Sequence, residues 1–282
     1  MNLLLDYLKF KNAPGNYGWF HILALLLVIS AIVILCVFIK KVDEKKLKLI
    51  LIITSAVMIG LEIYKQLTFS WNILDAKNSK YAWYSFPFQF CSTPMYVMLV
   101  AGLVKPGKFR DYLLSFLATF SLFGGLAVML YPNDVFVTRV GIDVQTMVHH
   151  GSQVVIGLFL LIKGVVKPHW KTFLQSFAVF ASLVIVALTL NLIMPAIGIT
   201  AGQTFNMFFI SPYHACTLPV LSFFYSKPIG VEGGSIGKYI GFFALYFIGF
   251  SLISIIILSV DLGITKLIRL IKSKKRKEPQ AA

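Results

Sequence analysis

The chain has 282 residues, of which 58% are hydrophobic and only 13% are charged, and its formal net charge is +15. Soluble domains contain about 25% charged residues. Apolar runs of about 20 residues recur along this chain, so its composition favours a polytopic helical membrane protein. A basic balance can indicate nucleic-acid binding, but most Lys and Arg lie in short loops and at the end of the chain. We therefore expect no nucleic-acid partner.

Seven apolar segments predict an all-α bundle of seven transmembrane helices. Their approximate bounds are 19–39, 47–67, 86–104, 112–131, 144–163, 172–194 and 238–260. We divide the chain into a polar lead-in (1–18), a transmembrane domain (19–260) and a basic tail (261–282). No small-residue cleavage site follows the first segment, so we expect that segment to be retained.

The stretch 195–237 is apolar but is interrupted by Pro, Gly, Asn and Ser. Non-helical backbone at membrane depth is tolerated only where it packs on protein or lines a cavity. We interpret this stretch as a lid over the outer mouth of the bundle. An eighth span is the alternative.

The distribution of positive charge predicts the orientation. Most of the 26 Lys and Arg residues lie in the loops 40–48, 105–110 and 163–171 and in the tail. The positive-inside rule then puts the N-terminus outside and the C-terminus in the cytoplasm. The basic tail would face the anionic lipid head groups of the inner leaflet, which it should attract.

With this orientation, the unusual polar residues of the spans lie at one depth, in the outer half of the bilayer. Ionisable residues inside a span are costly and usually face the bundle interior with a partner. The residues at this depth are Glu62, Cys91, His149, His150 and Asn191 in the segments, with Asn206, His214 and Cys216 in the outer loop.

Segment five has a polar stripe. Gln145, His149, Ser152 and Gln153 fall at helical spacing on one face, whereas His150 is turned by about 100° from His149. The stripe favours His149 as the residue that faces another helix. Alternatively, both histidines only make interhelical hydrogen bonds that hold the bundle together.

Segment three contains a cysteine between two prolines, in the run from Ser85 to Pro94. Pro87 suits the first turn of a helix. We expect Pro94 to lie inside the helix, where it leaves the Phe90 carbonyl free beside the Cys91 thiol. The alternative is that Cys91 is a small apolar filler.

The other two cysteines suggest less. Cys36 has no polar company near the inner end of segment one, and we interpret it as a packing residue. A disulfide between Cys91 and Cys216 is conceivable and would exclude a nucleophilic role for Cys91.

A cysteine in apolar surroundings needs a neighbouring base to become a nucleophile. His149, at the same depth as Cys91, is the natural candidate. Such a pair at a membrane interface suits acyl transfer from a lipid ester to water or to another lipid. Gln89, Asn191 and Asn206 are candidate donors to the oxyanion.

The same residues resemble a known family. The run Phe86-Pro87-Phe88-Gln89-Phe90-Cys91 resembles the Leu-Pro-Leu-His-Leu-Cys segment of the YwaF-like integral membrane proteins of bacteria. Gly124-Gly125 followed by Pro132 is similar to the next helix of that family, and the spacing from Cys91 to His149 is similar as well. The run Asn206-Met207-Phe208-Phe209 resembles the family's Asn-Tyr-Met-Phe.

The resemblance covers residues 20–260 and implies a multi-pass protein of the bacterial cell membrane. The related animal transmembrane protein 164 is a lipid acyltransferase that works through a Cys and a His, which implies those roles for Cys91 and His149. Gln89 departs from the family's His, and the stretch from Ile210 to His214 lacks the family's Lys-Pro pair.

Three functions are therefore open. The leading hypothesis is a lipid acyltransferase or lipid hydrolase acting on membrane phospholipids through Cys91 and His149. The second is a non-catalytic transporter or lipid-binding protein with an intramembrane polar cavity. The third, a zinc hydrolase using His149, His150, His214 and Glu62, is disfavoured because adjacent histidines on one helix are poor co-ligands. We expect no metal or other cofactor, and the sequence does not predict an oligomeric state.

Overall fold

A computed structural model describes residues 8–70, 80–133 and 135–275 of the chain. Residues 1–7 of the expected lead-in and 276–282 of the expected tail lie outside the described residues. The described part contains no β-strand, only an isolated antiparallel bridge between Lys9 and Arg139. The prediction of an all-α fold is confirmed for this part of the chain.

Seven helices of more than two turns form the described fold. They are α1 (Trp19–Phe38), α2 (Glu44–Ser70), α3 (Thr93–Leu103), α4 (Lys108–Leu130), α5 (Val140–Ile162), α6 (Trp170–Ala196) and α7 (Ile236–Lys275). Within α4, residues Leu117–Ser121 form a π-helical turn whose side chains are all buried.

Six of these helices are long and apolar enough to cross a membrane. The exception is α3, which has 11 residues. At 1.5 Å per residue it covers about 16 Å, roughly half of a hydrocarbon core. The chain is thus a multi-pass helical membrane protein, and the helices alone account for six of the seven expected spans.

The prediction for the start of segment three is wrong in detail. The helix begins at Thr93 rather than near 86, so Pro94 occupies its first turn instead of its interior. Proline is pre-organised for that position, where its missing N–H leaves no hydrogen bond unmade. Cys91 consequently lies in a turn just before the helix and not inside it.

The central helix of the bundle is α5, which packs against α1, α2 and α4. Glycines allow the close approach. A Cβ atom on Gly151 would lie 2.6 Å from a Val28 methyl on α1, and one on Gly157 would lie 2.6 Å from Cβ of Leu122 on α4. At Gly125 of α4, an added Cβ would lie 2.6 Å from the His150 carbonyl oxygen. The polar stripe of α5 is therefore held tightly between its neighbours.

The stretch 195–237 forms no spanning helix. Its regular structure is a 3-10 turn at Met207–Phe209 and a one-turn helix at Leu221–Phe224. Part of it nevertheless enters the core, because Phe205, Met207 and Phe208 are fully buried. The eighth-span alternative is not formed, and the stretch is a loop that folds into the bundle.

Candidate functional site

Cys91 lies in the turn that leads into α3. The amides of Ser92 and Thr93 both donate to the Gln89 carbonyl, at 2.9 and 3.0 Å. The carbonyl of Phe90, which Pro94 cannot use, accepts instead from the Thr93 hydroxyl at 3.1 Å. The expectation of a free Phe90 carbonyl beside the thiol is therefore wrong.

All three cysteines are free thiols, so the conceivable Cys91–Cys216 disulfide is not formed. Cys91 and Cys36 are half-buried, whereas Cys216 is buried. The backbone amide of Cys216 donates to the Tyr225 carbonyl within the 195–237 loop.

Gln153 of α5 connects the cysteine turn to the histidine helix. Its side-chain Nε2 donates to the Cys91 carbonyl at 2.9 Å and to the His149 carbonyl at 3.2 Å. The side chain is fully buried, and its Oε1 has no hydrogen-bond partner among the described residues. One amide therefore contacts both segments that the sequence predicted to meet.

His149 is buried and faces α2. Its Nε2 lies 2.8 Å from the Met58 carbonyl oxygen. A carbonyl can only accept, so Nε2 carries the hydrogen, and in the neutral ring Nδ1 keeps a lone pair. This arrangement fixes the ring and makes Nδ1 the atom that can accept a proton.

His150 is also buried but bonds within its own helix, with Nδ1 lying 2.7 Å from the Thr146 carbonyl. The two rings thus differ as the stripe predicted, His149 reaching a neighbouring helix and His150 its own. Among the described residues, no hydrogen bond joins the Cys91 thiol to either ring.

A buried ion pair lies beside these residues. Lys65 Nζ is 2.8 Å from Glu62 Oε1, and the two side chains are 14% and 4% exposed. Gln145 of the α5 stripe approaches the other Glu62 oxygen at 3.4 Å. Gln66 donates both to Glu62 at 2.7 Å and to the Ser85 carbonyl at 2.6 Å.

Glu62 is one of the site residues predicted from the sequence, whereas Lys65 and Gln66 are not. Because Lys65 lies near the end of α2, its position alone is also that of an orienting loop charge. The available signal was spacing, because residues three and four positions after Glu62 share its helix face.

Three amides expected to serve the oxyanion bind the 206–215 backbone. Gln89 accepts from the Phe208 amide at 3.1 Å and donates to the Asn206 carbonyl at 3.2 Å. Asn191 makes both of its bonds to Met207, at 2.7 and 2.9 Å. Asn206 donates to the Ala215 carbonyl at 3.2 Å.

The segment that these amides hold is strained. Phe208 and Phe209 have φ values of 58° and 59°, a left-handed conformation that is unfavourable for bulky residues. The Phe208 ring packs on Phe88 and Phe90, which flank Gln89. The loop 206–209 therefore rests directly on the segment that carries Cys91.

Two further predicted site residues are less central. His214 accepts from the Phe205 amide at 3.4 Å, and burial lowers the pKa of this ring from its ordinary value. Ser152 is half-buried on α5. Among the described residues, no three His, Cys, Asp or Glu side chains are grouped so that they could hold a metal ion.

Together these features define a multi-pass helical membrane protein with a polar cluster buried between α2, α5 and the turn before α3. A family model matches residues 16–260, and the chain belongs to the TMEM164 family. Comparisons with curated proteins and with solved structures found no match.

Proposed function

We propose that this protein is a lipid acyltransferase or lipid hydrolase that uses Cys91 as its nucleophile and His149 as its base. The observation that carries the proposal is the pair of hydrogen bonds from Gln153 to the Cys91 and His149 carbonyls. These two bonds link the segment that carries the thiol to the helix that carries the imidazole. Membership of the TMEM164 family supports the same reading.

The chemistry follows from the residue types. His149 takes the thiol proton at Nδ1, and the thiolate attacks the carbonyl carbon of a lipid ester, forming a carbon–sulfur bond. The ester carbon–oxygen bond breaks, and the alkoxide leaves with the proton from His149. Water or a lipid hydroxyl then attacks the thioester, its proton passes to His149, and the thiolate is released.

In this proposal, the remaining polar residues keep Cys91 and His149 in position. Gln89, Asn191 and Asn206 hold the 206–209 loop against the cysteine turn, and the loop keeps bulk water away from that turn, so that only the acceptor, a lipid hydroxyl or a single water molecule, reaches the thioester. The seven-span arrangement follows if the non-helical residues 86–92 and α3 together cross the bilayer. The outside N-terminus, the bacterial cell membrane and the contact of the basic tail with anionic lipid belong to the same proposal.

The test measures acyl transfer in lipid nanodiscs that contain a phospholipid with a fluorescent acyl chain and a lysolipid acceptor. Cys91→Ala should abolish transfer, and mass spectrometry should find a hydroxylamine-labile acyl group on Cys91 of the unaltered protein. Cys36→Ala and Cys216→Ala are the matched controls and should retain activity.

His149→Gln keeps an N–H donor for the Met58 carbonyl but removes the base, so it should fold and be inactive. Full transfer by Cys91→Ala would refute the proposal. Undiminished lipid binding with no transfer by any variant would favour the transporter or lipid-binding alternative.

A further inference from the structure

One apolar surface of the loop between α6 and α7 is left uncovered by the described residues. Val220, Phe223 and Phe224 are 64%, 86% and 53% exposed. They lie in and next to the one-turn helix Leu221–Phe224, and the chain from 197 to 226 contains no Asp, Glu, Lys or Arg. Contiguous exposed apolar side chains of this kind mark a site that binds a membrane or another protein.

The backbone holds this surface in a defined place. The Cys216 amide donates to the Tyr225 carbonyl at 2.9 Å and closes the base of the loop 216–225. The buried Tyr225 hydroxyl donates to the Pro212 carbonyl at 2.7 Å. Val220 has a φ of 68°, a left-handed conformation that is unfavourable for a β-branched residue. Such a conformation persists only where the surrounding structure enforces it, so the exposed side chains belong to a fixed turn.

Contacts with α7 place this turn at the edge of the membrane. The one-turn helix lies alongside α7, and the Tyr225 ring stacks on Phe242 of α7 with 4.9 Å between the ring centroids. Phe242 lies one turn beyond Lys238, which is the last charged residue before the long apolar run of that helix. The exposed side chains therefore lie where α7 passes from the polar surface into lipid.

A second copy of the chain suits this surface less well than the bilayer does. A standard stable interface buries about 800 Å² on each partner, which is far more than three side chains around a four-residue helix can supply. The bilayer already surrounds α7 and needs no such area. Lys227 favours the same occupant, because it follows the aromatic run and because lysine beside aromatic residues is typical of anchors at the membrane interface.

We propose that Val220, Phe223 and Phe224 insert into the lipid of the bilayer and anchor the loop between α6 and α7 to it. The same loop contains the 206–209 turn that rests on the cysteine turn, so the anchor ties this cover to the membrane. The anchor does not depend on the proposed acyl transfer, since its evidence is the exposure of the three side chains and their position beside α7.

The test locates a nitroxide spin label on Phe223→Cys in nanodiscs of phosphatidylcholine and phosphatidylglycerol. The full chain also carries Cys36→Ala, Cys91→Ala and Cys216→Ala, so that position 223 has the only thiol, and Cys91→Ser replaces Cys91→Ala if the latter does not fold. Paramagnetic resonance compares how often the label collides with oxygen, which concentrates in lipid, and with a nickel chelate, which stays in water. A label in lipid should collide with oxygen several-fold more often than with the chelate.

Two exposed positions supply matched references. Ile240→Cys lies at an exposed apolar position of α7, and Glu232→Cys lies at an exposed charged position of the same loop as Phe223. The ratio of oxygen to chelate collisions at position 223 should match the ratio at position 240 and exceed the ratio at position 232 several-fold. Phe224→Cys repeats the measurement at a second site of the same surface.

Two results would overturn the proposal. The first is a collision ratio at position 223 equal to that at position 232, because the surface would then face water. The second is shielding from both reagents together with spin–spin broadening, because a second copy of the chain would then cover the surface.

Discussion

Gln153 donates one side-chain amide to the Cys91 carbonyl across the interface between α5 and the turn before α3. The same amide group also donates to the His149 carbonyl of its own helix. One buried side chain therefore links the cysteine turn directly to the histidine helix.

Gln153→Leu should weaken both stability and Cys91 reactivity. The Cys91 carbonyl would be left buried without this partner, at a cost of about 1–3 kcal/mol, and misplacement of the thiol should reduce acyl transfer about ten- to a hundredfold. Thermal unfolding in detergent and the nanodisc assay measure the two effects. Gln175→Leu is the control, because Gln175 is buried elsewhere and accepts from the Ser115 hydroxyl. Equal losses of activity in both variants would contradict the prediction.

Gly125→Ala should separate α4 from α5. The added Cβ would lie 2.6 Å from the His150 carbonyl oxygen and 2.9 Å from Cβ of Gln153. Overpacking of this kind costs about 1–3 kcal/mol, so the midpoint of thermal unfolding should fall. Gly249→Ala on α7 meets open space, and its midpoint should hold or rise slightly. An unchanged midpoint for Gly125→Ala would mean that the two helices are not packed this closely.

Asn191→Leu should loosen the strained loop. Both bonds of Asn191 go to Met207, and without them the left-handed turn at Phe208 loses a support. Loss of a partner for a buried polar group costs about 1–3 kcal/mol. The Met207 amide should therefore exchange its hydrogen about ten- to a hundredfold faster, as measured by hydrogen–deuterium exchange. Asn191→Asp keeps the acceptor and should fall between. Thr189→Val, on an exposed position of the same helix, should leave the exchange at Met207 unaffected.

Gln89→His should preserve the loop. Gln89 uses one acceptor and one donor, to Phe208 and Asn206, and a neutral imidazole also offers one of each. We expect thermal stability within about 1 kcal/mol of the parent, with the Phe208 amide still protected from exchange. Gln89→Leu, which offers neither group, should lose that protection. Matching behaviour of the two variants would argue against this role for position 89.

Ionisation of Tyr81 should lower the stability of the folded protein at alkaline pH. Burial, reinforced by the Glu62 charge, raises the pKa of Tyr81 to about 12, and its hydroxyl donates to Gln66 at 2.7 Å. The unfolded chain ionises near pH 10. Stability from this group is therefore complete below about pH 10 and is lost as the pH rises toward about 12. The unfolding midpoint of Tyr81→Phe should fall less over this interval than that of the parent.

The sequence sufficed for features that depend on periodicity. The apolar runs located the spanning helices, and the spacing from Gln145 to Gln153 predicted a buried face that the structure contains. Prediction from the sequence failed at the start of α3, where two local rules compete. The prolines around Cys91 permit either a kinked helix or a late helix start. The structure has the late start, with the Phe90 carbonyl bound by the Thr93 hydroxyl.

Lys65 was not predicted as a partner of Glu62 for a different reason. A lysine near the end of a span reads equally well as an orienting charge or as a buried partner, and pattern alone does not separate the two. Lys65 is largely covered because Glu62 lies one turn earlier and because α5 and the Ser85 segment pack against that face. Those contacts are distant in sequence and have no local signature.

The Glu62–Lys65 pair also has a consequence for how the protein is made. A charged side chain raises the free energy of helix insertion by about 2.5–3.5 kcal/mol near the bilayer centre. Because the partners are three residues apart on α2, they can neutralise each other as soon as that helix forms, before any other helix is present. The helix can then enter the bilayer with this end nearly uncharged. The other helices can pack against the pair afterwards, so the polar cluster can form after α2 is already in the membrane.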